Sequence, residues 1–118
     1  METISLVFRD TAEFVNYTNN SIGDNKSLGL AKNFITSLQS SIESDGPFPT
    51  VDKITVNDEC TTLVWEDDRL YFSFKILEYQ VLWVFVDYDS ELYENGIIDN
   101  TESEMFRILN TILISPTL

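Results

Sequence analysis

Three acidic residues near position 90 come closest, in type and spacing, to a metal site. Asp87, Asp89 and Glu91 alternate at the end of a predicted strand, so their carboxylates would point to one side and offer oxygen ligands to Mg²⁺ or Ca²⁺. An EF-hand loop would need glycine at its sixth position and glutamate at its twelfth, and this sequence has neither. An acidic strand end is more commonly just solvated. We therefore expect no metal site here and keep a metal-dependent enzyme only as an alternative.

Histidine is absent from the sequence. Its absence excludes Ser–His and Cys–His nucleophiles, histidine general-base catalysis and the common zinc sites. The four glycines match neither the dinucleotide-binding nor the P-loop spacing, so no nucleotide cofactor is expected. Cys60 has no basic neighbour to activate it and is interpreted as a small buried hydrophobic residue. The sequence predicts a protein that is not an enzyme and binds no cofactor.

The charge balance is strongly acidic, with 20 Asp and Glu against seven Lys and Arg and a net charge of −13. A negative field repels nucleic acid and anionic membranes and attracts basic surfaces. Direct binding to nucleic acid or to a membrane is therefore excluded by this reasoning. The expected partner is a basic protein, such as a nucleic-acid-binding protein, a nuclease or a toxin.

The acidic residues concentrate in the last third of the chain. Between Lys75 and Arg107 there are eight acidic residues and no basic one, with tyrosines among them. Carboxylates imitate phosphates and aromatic rings add contact area, so this pattern is typical of a surface that meets Lys and Arg. The alternative is a solvated loop that leads into a helix start. The predicted partner-binding residues are Asp87, Tyr88, Asp89, Glu91, Tyr93 and Glu94, with Glu66, Asp67 and Asp68 of a second acidic turn.

Hydrophobic spacing in the first half predicts a strand, a short helix and a longer helix. Alternation around Val7 favours a strand over about 4–8, and a short helix is predicted over 10–18, begun by Asp10 or Thr11. A polar loop should cover 19–27. From Ser27 to about Glu43, apolar residues recur every three or four positions, which is typical of a helix with one buried face. Gly46 is expected to take a left-handed conformation where this helix ends.

The middle of the chain predicts a β-meander, with strands at about 53–56, 60–65, 70–76 and 81–87. Alternation along 70–76 places Leu70, Phe72, Phe74 and Ile76 on one face and leaves the other face wet. The run 81–86 is apolar on both faces. It is either a strand covered twice or an exposed patch that binds a partner. Trp65 and Trp83 are interpreted as core residues, with an interface role as the alternative.

A last helix should begin after a cap at Asn100 or Thr101, and Thr101 and Glu104 have capping-box spacing. Together these elements predict an α+β fold in which an antiparallel sheet of four to five strands packs against two main helices. The length of 118 residues favours a single domain, 1–118. The apolar run 81–86 is far shorter than the roughly 20 residues of a membrane span, and the first residues do not match a signal peptide. With Cys60 alone, no internal disulfide can form, so a soluble cytoplasmic protein of a bacterium or phage-infected host is expected.

The segment 63–74, Leu-Val-Trp-Glu-Asp-Asp-Arg-Leu-Tyr-Phe-Ser-Phe, follows Pro49-Thr50-Val51. This order resembles the helix, proline-marked turn and Trp-bearing hairpin of small acidic proteins from phages and toxin–antitoxin loci. The resemblance implies an inhibitor, antitoxin or immunity protein, and anti-CRISPR and DNA-mimic proteins are similar in size and charge. The leading hypothesis is thus a non-catalytic inhibitor that occupies the basic surface of its target. The alternative is an assembly module that uses an apolar sheet face as an oligomer or partner interface.

Overall fold

A computed structural model describes residues 6–20, 26–46, 48–57 and 60–114. Within these ranges the chain has an α+β fold with one six-stranded antiparallel sheet and three α-helices. The strands are β1 (Leu6–Phe8), β2 (Lys53–Val56), β3 (Thr61–Glu66), β4 (Leu70–Ile76), β5 (Gln80–Asp87) and β6 (Leu92–Asp99). The helices are α1 (Thr11–Asn20), α2 (Lys26–Glu43) and α3 (Glu102–Leu109), and a π-helical turn (Asn110–Ile114) continues α3.

The strands lie in the sheet in sequence order, each antiparallel to its neighbours. Because side chains alternate between faces and the register is continuous, each row of paired residues belongs to one face. One face, called here the covered face, carries the row Phe8, Ile54, Leu63, Phe74, Trp83 and Gly96. The other, the open face, carries the row Val7, Thr55, Thr62, Lys75, Leu82 and Ile97.

The helices pack on the covered face and complete the core. The Phe34 ring of α2 meets Phe74 of β4 edge-on at 5.8 Å, and Phe14 of α1 meets Phe8 of β1 at 5.7 Å. Phe72 and Phe74 are fully buried, which confirms the predicted apolar face of the strand 70–76. Trp65 is also a core residue, and its Nε1 donates to the Pro49 carbonyl at 3.0 Å.

Helix α2 matches its prediction, but its C-terminus is built differently. The amide of Asp45 donates to the Ile42 carbonyl and the amide of Gly46 to the Ser41 carbonyl, which is the Schellman arrangement. The left-handed residue is Asp45, with φ 63°, and not Gly46 as predicted. Glycine is needed at position 46 for a different reason, since a Cβ there would lie 2.6 Å from the Ser41 carbonyl oxygen.

The two shorter helices begin at side-chain caps. The Asp10 carboxylate accepts from the Ala12 amide at 2.8 Å and starts α1, which runs two residues beyond its predicted end. Thr101 caps α3 by accepting from the Glu104 amide at 3.3 Å. The reciprocal half of the capping box is absent, because the Glu104 carboxylate pairs with Arg107 instead.

The predicted counts of four to five strands and two main helices were too low, and the main error was β6. The sequence predicts no strand after 81–87 and places 92–99 in the loop that leads to the last helix; within it, Glu94, Asn95 and Gly96 are weak strand formers. All eight residues instead pair with β5. Main-chain pairing to an apolar neighbour overrides weak strand propensity at a sheet edge.

Several predictions fall on residues outside the described ranges. These are the start of the first strand, most of the loop predicted at 19–27, and Asp58 of the turn after β2. No helix in the described chain is long and apolar enough to cross a membrane.

Candidate functional site: the acidic end of the sheet

Two acidic hairpin turns meet at one end of the sheet. The turn between β3 and β4 and the turn between β5 and β6 lie side by side, because Leu70 at the start of β4 pairs with Asp87 at the end of β5. The Tyr88 amide donates to the Arg69 carbonyl at 2.8 Å and joins the two turns directly. We call residues 66–69 and 87–94 the acidic end. All nine predicted partner-binding residues lie in it.

The turn between β3 and β4 is held by Asp67. Its Oδ1 accepts from the amides of Leu70 and Arg69, each at 2.8 Å, and its own amide donates to the Leu70 carbonyl at 2.9 Å. The hydrogen bonds from the Leu70 and Arg69 amides hold the pKa of the Asp67 carboxyl below its usual value. Asp67 and Asp68 are both exposed, and the Asp67 carboxylate holds the turn through these hydrogen bonds.

Asp87 has the same role in the turn between β5 and β6. Its Oδ1 accepts from the amides of Asp89 at 3.1 Å and Ser90 at 3.3 Å, and the residue is only 8% exposed. Burial raises the pKa of this carboxyl, but the hydrogen bonds from Arg69, Ser90 and Asp89 outweigh burial and hold the pKa below its usual value. Asp87 is therefore a buried residue that stabilises the turn in the acidic end.

Arg69 is the functional residue of this region that the sequence reasoning missed. Its Nη2 donates to Asp87 Oδ2 at 3.4 Å, and its Nε lies 3.8 Å from Asp89 Oδ2. The acidic stretch contains no base along the sequence, yet the neighbouring hairpin supplies one. The sequence does show a single arginine in an acidic turn. Which carboxylates this arginine binds depends on which hairpins lie side by side, and the sequence does not show that.

Two tyrosines remain accessible in this region, with Tyr88 48% and Tyr93 61% exposed. The Tyr88 hydroxyl lies 3.4 Å from Glu66 Oε2, to which it donates. Partial burial and the nearby Glu66 charge raise the pKa of Tyr88. The acidic end thus combines exposed rings with the exposed carboxylates of Glu91 and Glu94.

The remaining acids of the long acidic stretch lie elsewhere. Asp99 pairs with Gln80 at the opposite end of β5 and β6, roughly 25 Å away at about 3.3 Å per residue. Glu102 accepts from the Ser37 hydroxyl at 2.9 Å, and Glu104 binds Arg107 through two bonds of 2.9 Å. The stretch that is continuous in sequence is split between two ends of the sheet. Glu78 lies in the turn between β4 and β5 at the opposite end, and only the acids at 87–94 join the turn at 66–69.

The expected alignment of Asp87, Asp89 and Glu91 along one strand is wrong. Strand β5 ends at Asp87, and the other two residues lie in the turn, where Glu91 has a positive φ of 57°. In the described part of the chain, no three potential metal ligands are grouped closely enough to hold an ion.

No protein-family model, curated protein or solved structure matches this chain. The Trp-bearing hairpin is formed by β3 and β4, with Trp65 in the predicted strand. The family that this hairpin resembles stays a prediction.

The open face is the second candidate surface. Val81 and Phe85 of β5 are buried against the helices, whereas Leu82, Val84 and Val86 lie on the open face and are partly buried. The described helices pack on the covered face, so the run 81–86 is covered by helices on one side only. Ile97, in the next strand, is 65% exposed. The β5 strip of the open face is therefore an apolar surface beside the acidic end.

Proposed function

We propose that this chain is a non-catalytic acidic binding protein that inhibits a nucleic-acid-acting or toxin protein by occupying its basic surface. The observation that carries the proposal is the meeting of two acidic hairpin turns beside the exposed Tyr88 and Tyr93. Carboxylates grouped at one end of a sheet can replace the phosphates that a basic groove normally binds. The biological setting would be phage anti-defence, DNA mimicry or immunity to a toxin, in the cytoplasm of a bacterium or infected host.

The internal hydrogen bonds of the acidic end support this proposal. Asp67 and Asp87 fix the two turns before any partner arrives, so less conformational entropy is lost on binding. Arg69 offsets part of the repulsion between the turns. The exposed carboxylates of Asp68, Glu91 and Glu94 are then left to meet Lys and Arg of the target.

The proposal is tested by purifying the native protein with its partner from host lysate at low salt and identifying the partner by mass spectrometry. The expected partner is a nuclease, CRISPR effector or toxin whose activity falls to zero at one equivalent of this protein. Affinity should fall at least tenfold between about 0.05 M and about 1 M salt, because exposed charges are screened. An affinity that is unchanged across this range would contradict the proposal.

The matched variants place three charge reversals either inside or outside the acidic end. Reversal of Asp89, Glu91 and Glu94 to Lys should weaken partner binding at least a hundredfold, while Asp87 is kept because it shapes the turn. The control reverses three exposed acids outside the acidic end and outside β6: Glu13, Glu43 and Glu78. Both variants change the net charge equally. Equal loss of affinity in both would show that bulk charge, and not the acidic end, attracts the partner.

The alternative function, an assembly module, is favoured by the open face. Leu82, Val84 and Val86 form an apolar strip there, continuous with the exposed Ile97. Surfaces of this kind mark contacts between subunits or with partners. Sedimentation in about 1 M salt tests the alternative, since an oligomer held by apolar contacts persists when charges are screened. A monomer at all salt concentrations would count against it.

A further inference from the structure

Strand β6 is a long strand at the edge of the sheet. Its eight residues pair with β5 along one side, and no other strand of the described chain pairs with the opposite side. Alternate residues of an edge strand direct their N–H and C=O groups outward, where another strand can bind them. The other edge, β1, has only three described residues and continues at once into α1. The open main-chain surface is therefore concentrated at β6.

Of the devices that usually protect such strands, this edge has acidic residues but no lysine, proline or bulge. Proteins block exposed edges with lysine, proline or bulges, and the segment Leu-Tyr-Glu-Asn-Gly-Ile-Ile-Asp contains neither lysine nor proline. Its pairing with β5 is uninterrupted over all eight residues, so no bulge is present. Two large apolar side chains, Tyr93 and Ile97, are 61% and 65% exposed on the open face. This edge is suited to receiving a strand.

We propose that β6 binds an extended basic segment of the partner as a seventh strand of the sheet. The proposal rests on the function proposed above and adds the mode of recognition. Main-chain hydrogen bonds to an edge strand supply affinity, and alternate side chains supply specificity.

The charge of β6 favours a basic segment over a second copy of the chain as the strand that binds to it. The edge and its flanks carry Glu91, Glu94 and Asp99 and no basic residue. A second copy would bring the same acids to the contact and a net charge of −13 with them. A segment rich in Lys or Arg brings the opposite charge, so it fits the edge and is steered towards it.

The register of β6 predicts the pattern of the bound segment. Residues directly opposite in paired strands share a face, so the positions opposite Tyr93 and Ile97 should be apolar. Glu94 lies between them in sequence on the covered face, and the position opposite it should be Lys or Arg. Gly96 also lies on the covered face, next to the Trp83 indole, and has no side chain of its own to contact the bound segment. The segment should therefore alternate apolar and basic residues.

The test uses acetylated and amidated peptides of about eight residues that alternate Val and Lys, with binding measured by calorimetry. A scrambled peptide of the same composition tests the pattern. Two further peptides carry N-methyl groups on either the odd or the even residues, which removes N–H donors from one edge of the peptide only. The alternating peptide should bind at least tenfold more tightly than the scrambled one. One methylated peptide should lose binding at least tenfold, and the other should retain it.

Variants of the protein test whether the peptide binds at β6. Glu94→Lys should weaken binding of the alternating peptide at least tenfold, whereas Glu43→Lys, an equal charge reversal at the exposed end of α2, should weaken it less than threefold. Equal effects of the two variants, or equal binding of both methylated peptides, would show simple charge attraction and overturn the proposal while the inhibitory function stands. Peptide-independent dimers that dissociate on Ile97→Lys would also overturn it, because a second copy would then occupy β6.

Discussion

The two faces of this sheet are formed by the same six strands but have very different surroundings. On the covered face, Phe72, Phe74 and Ile76 of β4 are fully buried by helices. On the open face, Val64 and Ser73 are still only 4% and 7% exposed, although no described helix packs there. Among the described residues, their neighbours on this face belong to the paired strands, since Ser73 is paired with both Val64 and Val84.

The difference shows that burial in this protein has two origins. Helix packing buries large side chains and creates the core that stabilises the fold. Cross-strand contacts bury small side chains near the middle of the sheet and leave a surface whose margins, at Tyr93 and Ile97, remain accessible. The first kind of burial should dominate stability, and the second should leave the open face free for binding.

The largest expected effect compares two valines of β5 that face opposite sides of the sheet. Val81 is fully buried between Ile76 and Ile98 on the covered face, so Val81→Ala should lower the free energy of unfolding by about 2–3 kcal/mol. Val84 is partly buried on the open face, and Val84→Ala should cost about 1 kcal/mol or less. Urea unfolding of both variants checks this. If both variants lost the same free energy of unfolding, the open face would contribute as much to stability as the helix-covered core.

The next largest expected effect on stability concerns the margin of the covered face, where Trp83 lies over Gly96. A Cβ at position 96 would stand 2.7 Å from Trp83 Nε1, so the indole would have to move. We expect Gly96→Ala to destabilise the protein by about 1–3 kcal/mol and to shift the tryptophan fluorescence.

A second glycine provides the matched control. A Cβ at Gly29 of α2 would meet nothing within 4 Å, so Gly29→Ala should stabilise the protein by about 0.5–1 kcal/mol through helix propensity. If Gly96→Ala were neutral or stabilising as well, close packing of Trp83 on β6 would not be the reason for glycine there.

The covered face was largely predictable from sequence, whereas the candidate site was predictable only in part. The spacing of Leu70, Phe72, Phe74 and Ile76 encodes one face of a strand directly, and the same holds for the buried stripe of α2. These patterns are local, so they need no knowledge of neighbouring elements.

The contacts of the acidic end depend on which strands become neighbours. Arg69 reaches Asp87 because β4 pairs with β5 in one particular register, and no local pattern carries that information. Strand β6 was missed because Glu94, Asn95 and Gly96 are weak strand formers. Its strand conformation comes from pairing with β5 and from space for Trp83. Sequence therefore identified the acidic residues but not how the fold divides them.

The smallest expected effect compares two carboxylates that end strands at the same end of the sheet but on opposite faces. Asp87 ends β5 on the covered face, where hydrogen bonds lower its pKa, and Glu66 ends β3 exposed on the open face. A carboxylate with a lowered pKa in the folded state stabilises the protein above its unfolded pKa of about 3.9, and this stabilisation is lost as the pH falls through the folded value. Asp87→Asn should therefore be less stable than the native protein at pH 7, and the difference should shrink between about pH 5 and about pH 2. Glu66→Gln is the control for the loss of one carboxylate at the same end of the sheet. Urea unfolding across this pH range measures both differences, and a constant difference for Asp87→Asn would mean that its charge does not hold the turn.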